Sequence, residues 1–409
     1  MSLDFPEEVS QSRKLEKLLQ VLILGQLIGL PTLNSILFKF GIRSNYHQIN
    51  CVKLYNRLTD RKIRQIFEYV FEQQFISVLE DMSKKGSSCW SKKSVTAVID
   101  DSVFRQWLEQ STDEYYGRYF SGQFRTTVYG YKVVTLGVEM AGVLYPVYFD
   151  FVRNDKTEKA VEVAKKLIKR WGALVEKLKN QGVELPIIHL SCDNGYREIC
   201  LSQSCEDNHL SYISVPKKSH LIEFSGQKTK LSNWLSDHYL KLEQAHQETQ
   251  KELPVQERTP FTYRFRAHYC SQNREVTFLA FRLNGSKKVS IIYSTDKPIF
   301  AKTLRRHWFD RSYIEQFFKL LKHVLRIQEA RTTNKKDFEI KLWRFAFMAW
   351  HAQKIVMYVR RFCSDFDKKG FIAIQRILSS DDDFLHLLQN NLIANPDNQS
   401  KKPQLMITN

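Results

Sequence analysis

The sequence has no apolar run long enough to cross a bilayer. Val21–Leu30 is an apolar stretch, but a spanning helix needs roughly 20 such residues, so no membrane protein is expected. Cysteines are few, odd in number and scattered: Cys51, Cys89, Cys192, Cys200, Cys205, Cys270 and Cys363. No signal peptide precedes them, which makes a reduced cytosolic chain the expected setting and argues against a disulfide scaffold. Acids are outnumbered, with 44 Asp plus Glu against 62 Lys plus Arg and a formal charge of +18. A surface that basic favours a polyanionic partner, nucleic acid first, because neutralised phosphates release their counterions.

What is present is a globular composition, 43% hydrophobic and 13% aromatic over 409 residues, enough for two or three domains with a core. His189, Cys192, Cys205 and His209 resemble loose zinc spacing. His189 and Cys192 fall in one expected buried strand, however, and would project awkwardly for a shared site, which argues against zinc.

Residues 1–90 have little glycine or proline and no strand-like alternation. Ser12–Leu30, Leu33–Phe40 and Arg61–Met82 show helical spacing, so an all-helical N-terminal domain is expected, DNA-binding in view of its cations. Lys84–Lys93 reads as a linker. From Val95 the period changes. Val95–Ile99 is a β-branched run that stops at Asp100–Asp101–Ser102, placing acids at a strand's carboxyl end. Val128–Met140 and Val143–Val152 read as strands joined by a turn at Ala141–Gly142. A helix follows from Asp155 to Asn180, then a strand over Pro186–Cys192 ending at Asp193–Asn194–Gly195. A helix over Tyr196–Ser204 and a strand over Leu210–Val215 come next.

Three strands, helix, strand, helix, strand is a ribonuclease-H-like order: an α/β fold with a mixed sheet flanked by helices. Residues 91–215 form its first part, and functional groups in such sheets collect at strand carboxyl ends. Residues 216–300 read as an inserted, mainly β subdomain. Residues 301–365 complete the catalytic domain with a helix over 301–327 and a packing helix over Lys341–Arg361. Residues 366–409 read as a C-terminal helical or tail segment, expected to be weakly ordered after Ser379.

The helix through Trp308–Lys322 carries the sharpest signal. At roughly 100° per residue, Trp308, Arg311, Glu315 and Lys322 share an arc of about 60°. Ile314, Phe317, Phe318, Leu320 and Leu321 gather opposite. An ordinary amphipathic helix also has two faces; the added feature is one acid flanked by two cations and an indole. Asp100, Asp193 and Glu315, brought together, can hold two Mg²⁺ ions, with Mn²⁺ able to substitute, through hard oxygen ligands. Two such ions serve phosphodiester transfer. Arg311 and Lys322 would then bind phosphate oxygens and Trp308 would stack on a base or sugar. Lys217 and Lys218 join them as DNA contacts. The plain alternatives are helix ion pairs for Arg311 and Lys322 and a packing role for Trp308.

These motifs resemble those of DDE-type transposases of bacterial insertion sequences, the group with a Tyr–Arg–Glu–Lys signature. Trp308, Arg311, Glu315 and Lys322 match that signature's spacing, with Trp in place of Tyr. Asp100–Asp101–Ser102 resembles the first acidic motif and Asp193–Asn194–Gly195–Tyr196 the second. The likeness spans about residues 90–365, the long insertion included. It implies metal-dependent cutting at terminal inverted repeats, joining of 3′ ends to target DNA, a synaptic homodimer on double-stranded DNA, and a place in the bacterial cytoplasm and nucleoid. Asp100 is preferred to Asp101 as first acid because it directly ends the apolar run, though both stay open. The rivals are a stand-alone two-metal nuclease on the same fold and a domesticated, non-catalytic DNA-binding protein.

Overall fold

A computed structural model describes residues 60–85, 94–106, 111–140, 142–154, 158–183, 185–254, 259–283, 286, 288–329 and 334–362. The helices expected at Ser12–Leu30 and Leu33–Phe40 and the C-terminal segment 366–409 lie outside them, as does most of the expected linker. The described residues gather into two compact units: 60–71 with 319–329 and 334–362, and those within 72–318.

The larger unit is α/β, built on an eleven-stranded mixed sheet. Its first strand, β1 (Ser94–Arg105), lies between β3 (Thr126–Met140), antiparallel, and β5 (Ile187–Cys192), parallel. Along the far edge of β3, β2 (Tyr116–Ser121) pairs with its first half and β4 (Val143–Phe151) with its second. Beyond β5 comes β6 (Ser211–Ser214), also parallel. Then β11 (Val289–Ser294), β10 (Arg274–Arg282), β9 (Thr262–Tyr269), β7 (Leu221–Phe224) and β8 (Gln227–Lys230) continue the same sheet.

Two expectations change here. β1 does not stop at Asp100–Ser102. It runs on to Arg105, because Val103 and Phe104 are buried and pair with Lys132 and Tyr131. The acids therefore sit within a strand. Residues 216–300, read as an inserted, mainly β subdomain, hold five strands among their described residues, and these extend the main sheet, since β11 pairs antiparallel with β6 through Tyr293 opposite Ser214. Leu231–Trp234 and the π turn Leu235–Tyr239 lead into a helix over Leu240–Lys251 that covers this part, with Trp234 stacked on Phe265 at 3.8 Å.

Helices pack on both faces. The first helix, α1 (Asp60–Lys85), enters this unit with its second half, where Phe75 meets Trp171 and Tyr145. α2 (Ala160–Asn180) buries Ala164, Leu167, Ile168, Trp171, Leu174, Val175 and Leu178, the i, i+3, i+4 stripe of an amphipathic helix. Each such large side chain contributes about 1.5–3 kcal/mol by leaving water. α2 begins at Ala160, later than the expected Asp155. It ends where Gly182 takes a left-handed φ of 74° and the Val183 N–H returns to the Leu178 carbonyl at 3.0 Å. α3 spans Ile199–Glu206.

On the opposite face run α5 (Ala301–Asp310) and α6 (Ser312–Lys319), α4 being Leu240–Lys251. The helix expected over 301–327 is thus divided at Arg311. Thr96 of β1 fixes α5. Its hydroxyl has one proton, donated to Asp310 Oδ2 at 2.7 Å, so the 2.6 Å contact with His307 Nδ1 is a bond that His307 donates. His307 stacks on His189 of β5, ring centroids 4.5 Å apart. Phe318 of α6 packs edge-on against Phe104, 6.2 Å between rings.

In the smaller unit α7 (Lys335–Phe362) buries Phe338, Leu342, Trp343, Phe345, Ala346, Ala349 and Trp350. Trp343 meets Phe71 edge-on at 4.9 Å. Arg64 Nε donates to the buried Glu339 Oε1 at 2.7 Å.

Candidate active site

The parallel pairing of β1 with β5 ends at Ile99 opposite Cys192. Asp100 and Asp193 are the next residue on each strand, so the two carboxylates leave the sheet side by side. β1 continues past this point while β5 gives way to the 3-10 turn Asn194–Tyr196. Burial above all, then the neighbouring charges of Asp101 and Asp193, push the Asp100 carboxyl up to about 7, with Arg311 opposing the rise. The Asp101 N–H donates to Asp100 Oδ1 at 2.8 Å.

Asp101 faces the other side of the sheet, as alternation along a strand requires. There Tyr196 O–H donates to its Oδ1 at 2.7 Å and Lys132 Nζ lies 3.0 Å from its Oδ2. Both of its oxygens are engaged in tying β1 to β3 and to the turn after Asp193. Asp100 is therefore the acid that stands beside Asp193.

Glu315 comes from the first turn of α6. Arg311, at the junction of α5 and α6, joins the two: its Nη1 lies 3.5 Å from Asp193 Oδ1 and its Nη2 lies 3.3 Å from Glu315 Oε1. The side chains of Asp193 and Glu315 are 46% exposed while Arg311 is 19% exposed, so solvent reaches the acids and the guanidinium sits beneath. The rest of α6 behaves as its apolar stripe requires, with Ile314, Phe317 and Phe318 buried. Lys322 belongs to the smaller unit, half-buried on the π turn Leu320–Val324.

Trp308 does two things. One side packs against the apolar cluster of Ile213, Leu279, Phe281, Ile292, Ile299 and Leu304. The Arg311 guanidinium lies 5.1 Å from its ring centroid, a cation–π contact. The indole also lines an open cavity of about 490 Å³ whose wall includes Lys217, Lys218, Ser219 and Arg197. The packing and ligand readings of Trp308 thus both have a physical basis. Arg197 was not legible in advance; its only signal is its position directly after the Asp193–Tyr196 motif.

As a donor set, Asp100, Asp193 and Glu315 fit a hard divalent cation in kind, being carboxylates throughout. In position, no group of three His, Cys, Asp or Glu side chains among the described residues stands ready to hold one metal ion, and Arg311 bridges Asp193 and Glu315. The zinc spacing does not converge either: Cys192 and Cys205 are buried free thiols, and His189 is stacked on His307. Among the described residues no helix is long and apolar enough to cross a membrane. Searched against protein-family models and curated proteins, the sequence matches none.

Proposed function

We propose that the chain is a DDE-type DNA transposase of an insertion sequence, acting on double-stranded DNA as a homodimer in a ribonuclease-H-like catalytic domain. The observation that supports this best is the exit of Asp100 and Asp193 from adjacent parallel strands, with Glu315 linked to Asp193 through Arg311. Four antiparallel strands, β1–β4, are followed by β5 and β6 parallel to β1; this is compatible with the fold assignment, with one strand more than the expected order.

In this reading Asp100, Asp193 and Glu315 would hold two Mg²⁺ ions, for which they are the right kind of donor. Bound magnesium supplies activation of the attacking oxygen and stabilisation of the leaving oxygen. The protein's own task is positioning and charge. Arg311, which lies between two carboxylates here, would be available to a phosphate oxygen if those carboxylates held a metal ion instead. Lys322 as a second phosphate contact rests on its spacing in the sequence alone. Lys217 and Lys218, on the cavity wall, hold the backbone of the DNA end, and Trp308 offers an aromatic surface to a base or sugar. No Ser, Cys or His nucleophile is required.

The test is cleavage and strand joining on supercoiled plasmid and pre-cut ends. Asp193→Asn and Glu315→Gln are each expected to abolish cleavage and spare DNA binding. Cleavage without joining supports the nuclease reading. Arg311, by neutralising two acids where they stand, favours a second reading, a non-catalytic DNA-binding protein; metal-independent binding with no cleavage in the native chain supports that one.

A further inference from the structure

The β2–β3 hairpin, which plays no part in the carboxylate site, has a surface unlike the rest of the sheet edge. Between Tyr115 and Val138 the sequence contains no Asp or Glu, while it carries Arg118 and Arg125; Lys132 lies on the other face, paired with Asp101 at 3.0 Å. Phe120 is 69% exposed and Phe124 39% exposed, both next to the hairpin turn. The Arg118 guanidinium lies 5.6 Å from the Tyr129 ring, and that of Arg105 lies 5.2 Å from Phe124. The nearest acids are occupied at the hairpin's base. Asp113 accepts from Tyr131 O–H at 3.4 Å, and Glu114 lies 3.4 Å from Arg153.

Register fixes where this surface looks. Asp100 pairs with Thr135, and Phe104 with Tyr131; Tyr131 pairs with Tyr116, Tyr129 with Arg118 and Thr127 with Phe120. Side chains alternate along each strand, and directly paired residues share a face. Asp100, Phe104, Tyr116, Arg118 and Phe120 therefore lie on one face, the face on which Phe318 of the Glu315 helix packs. Along β3, Thr135 opposite Asp100 is eight residues from Thr127 opposite Phe120. At roughly 3.3 Å per residue that is about 26 Å, or roughly eight base pairs of duplex.

We propose that the β2–β3 hairpin is a second DNA-contact element, which grips duplex DNA roughly eight base pairs from the reacting phosphate. Arg118 binds a backbone phosphate, with Arg125 at the adjoining turn, and Phe120 is the apolar wedge against a locally unstacked base step. Exposed aromatics beside arginines, with no acid among them, are the chemistry of a wedge that bends DNA by partial unstacking. The proposal rests on the face of Asp100 being the DNA-facing one, and so on the function proposed above.

The experiment uses the full chain and 40-base-pair duplexes of arbitrary sequence, with or without a central two-base mismatch, followed by fluorescence anisotropy across a salt series. A mismatch lowers the cost of unstacking, so the native chain is expected to prefer the mismatched duplex by about 5–10-fold. Phe120→Ala with Phe124→Ala removes that preference and leaves matched-duplex binding within about twofold, while Phe120→Tyr keeps it. Arg118→Ala with Arg125→Ala weakens binding to both duplexes and lowers the salt slope by about 2. Absence of the preference in the native chain, or its survival in the double Phe variant, overturns the wedge. A self-association that disappears in Phe120→Ala overturns it as well, by making the patch a contact between copies. Plasmid cleavage measured on the same double Phe variant separates the two readings. Loss of the mismatch preference with cleavage intact leaves the catalytic reading standing. An inactive native chain that shows the preference leaves the wedge standing alone.

Discussion

The guanidinium of Arg311 lies 3.5 Å from the carboxylate of Asp193, joining the start of the Glu315 helix to the end of a central strand. A cation placed there offsets the charge of the acids, and a metal ion would have to compete with it for the same oxygens. Arg311→Ala is therefore expected to tighten Mn²⁺ binding by roughly 3–10-fold, while lowering any cleavage by about 100-fold through loss of the phosphate contact. Isothermal titration with Mn²⁺ reads the first effect. Weaker binding in the variant would mean that Arg311 orients the acids rather than occupying their site.

Asp100 gives a stability signature. Its carboxyl is pushed up to about 7, mainly by burial, above the unfolded value of about 3.9. A raised carboxyl favours folding most at pH below about 4, and that advantage is lost as pH climbs through 4 to 7. Above pH 7 the ionised group is a net cost. Asp100→Asn is thus expected to stabilise the metal-free protein at pH 8 by roughly 1–3 kcal/mol, and by little or nothing at pH 4. Denaturant melts at the two pH values decide it; equal effects at both would contradict the burial account.

The buried histidine pair has the opposite sign. Burial first, then the Arg306 charge, lowers His189 to about 4, and burial with His189 and Arg306 lowers His307 further. The unfolded chain takes up these protons near pH 6.5. Stability is therefore present above pH 6.5 and lost as pH falls from 6.5 toward 4. His307→Asn keeps a donor for Thr96 and removes one titrating ring. Asp100 titrates equally in both proteins, so the difference between their pH profiles isolates the imidazole. The variant should lose less stability over that window, and parallel profiles would contradict the assignment.

Thr96 is the hydroxyl that anchors α5 to β1, accepting from His307 and donating to Asp310. Thr96→Val removes one buried hydrogen bond from each partner and is expected to cost about 1–3 kcal/mol, whereas Thr96→Ser should recover most of it. A Val variant as stable as the native chain would show that the network is incidental.

Much of this frame was legible as pattern. The strand–turn–strand run of Val128–Val152, the stripe of Ala160–Asn180 and the opposed faces of Trp308–Lys322 each announce an element, because each depends on neighbours in sequence. β2 did not announce itself: Tyr116–Ser121 holds a glycine and alternates weakly, since its far face is left exposed. The extension of β1 past Asp100 was masked by two acids and a serine that read as a stop. Nor could local pattern show that the 216–300 segment rejoins the sheet, which depends on Tyr293 finding Ser214. Asp193 was readable as a strand-end residue while Asp100 lies within its strand, and their adjacency follows from the β1–β5 register. Arg311 bridging Asp193 and Glu315, the Tyr196–Asp101–Lys132 tie and the His189–His307 stack are long-range contacts with no trace in spacing.

The most direct measurement is a crystal soaked with Mn²⁺ and read by anomalous scattering. The account predicts metal held by Asp100, Asp193 and Glu315 at roughly 2.0–2.3 Å from oxygen, with Arg311 displaced from Asp193. Density bound elsewhere, or a well-ordered site in which Glu315 turns away from both strand ends, would contradict it.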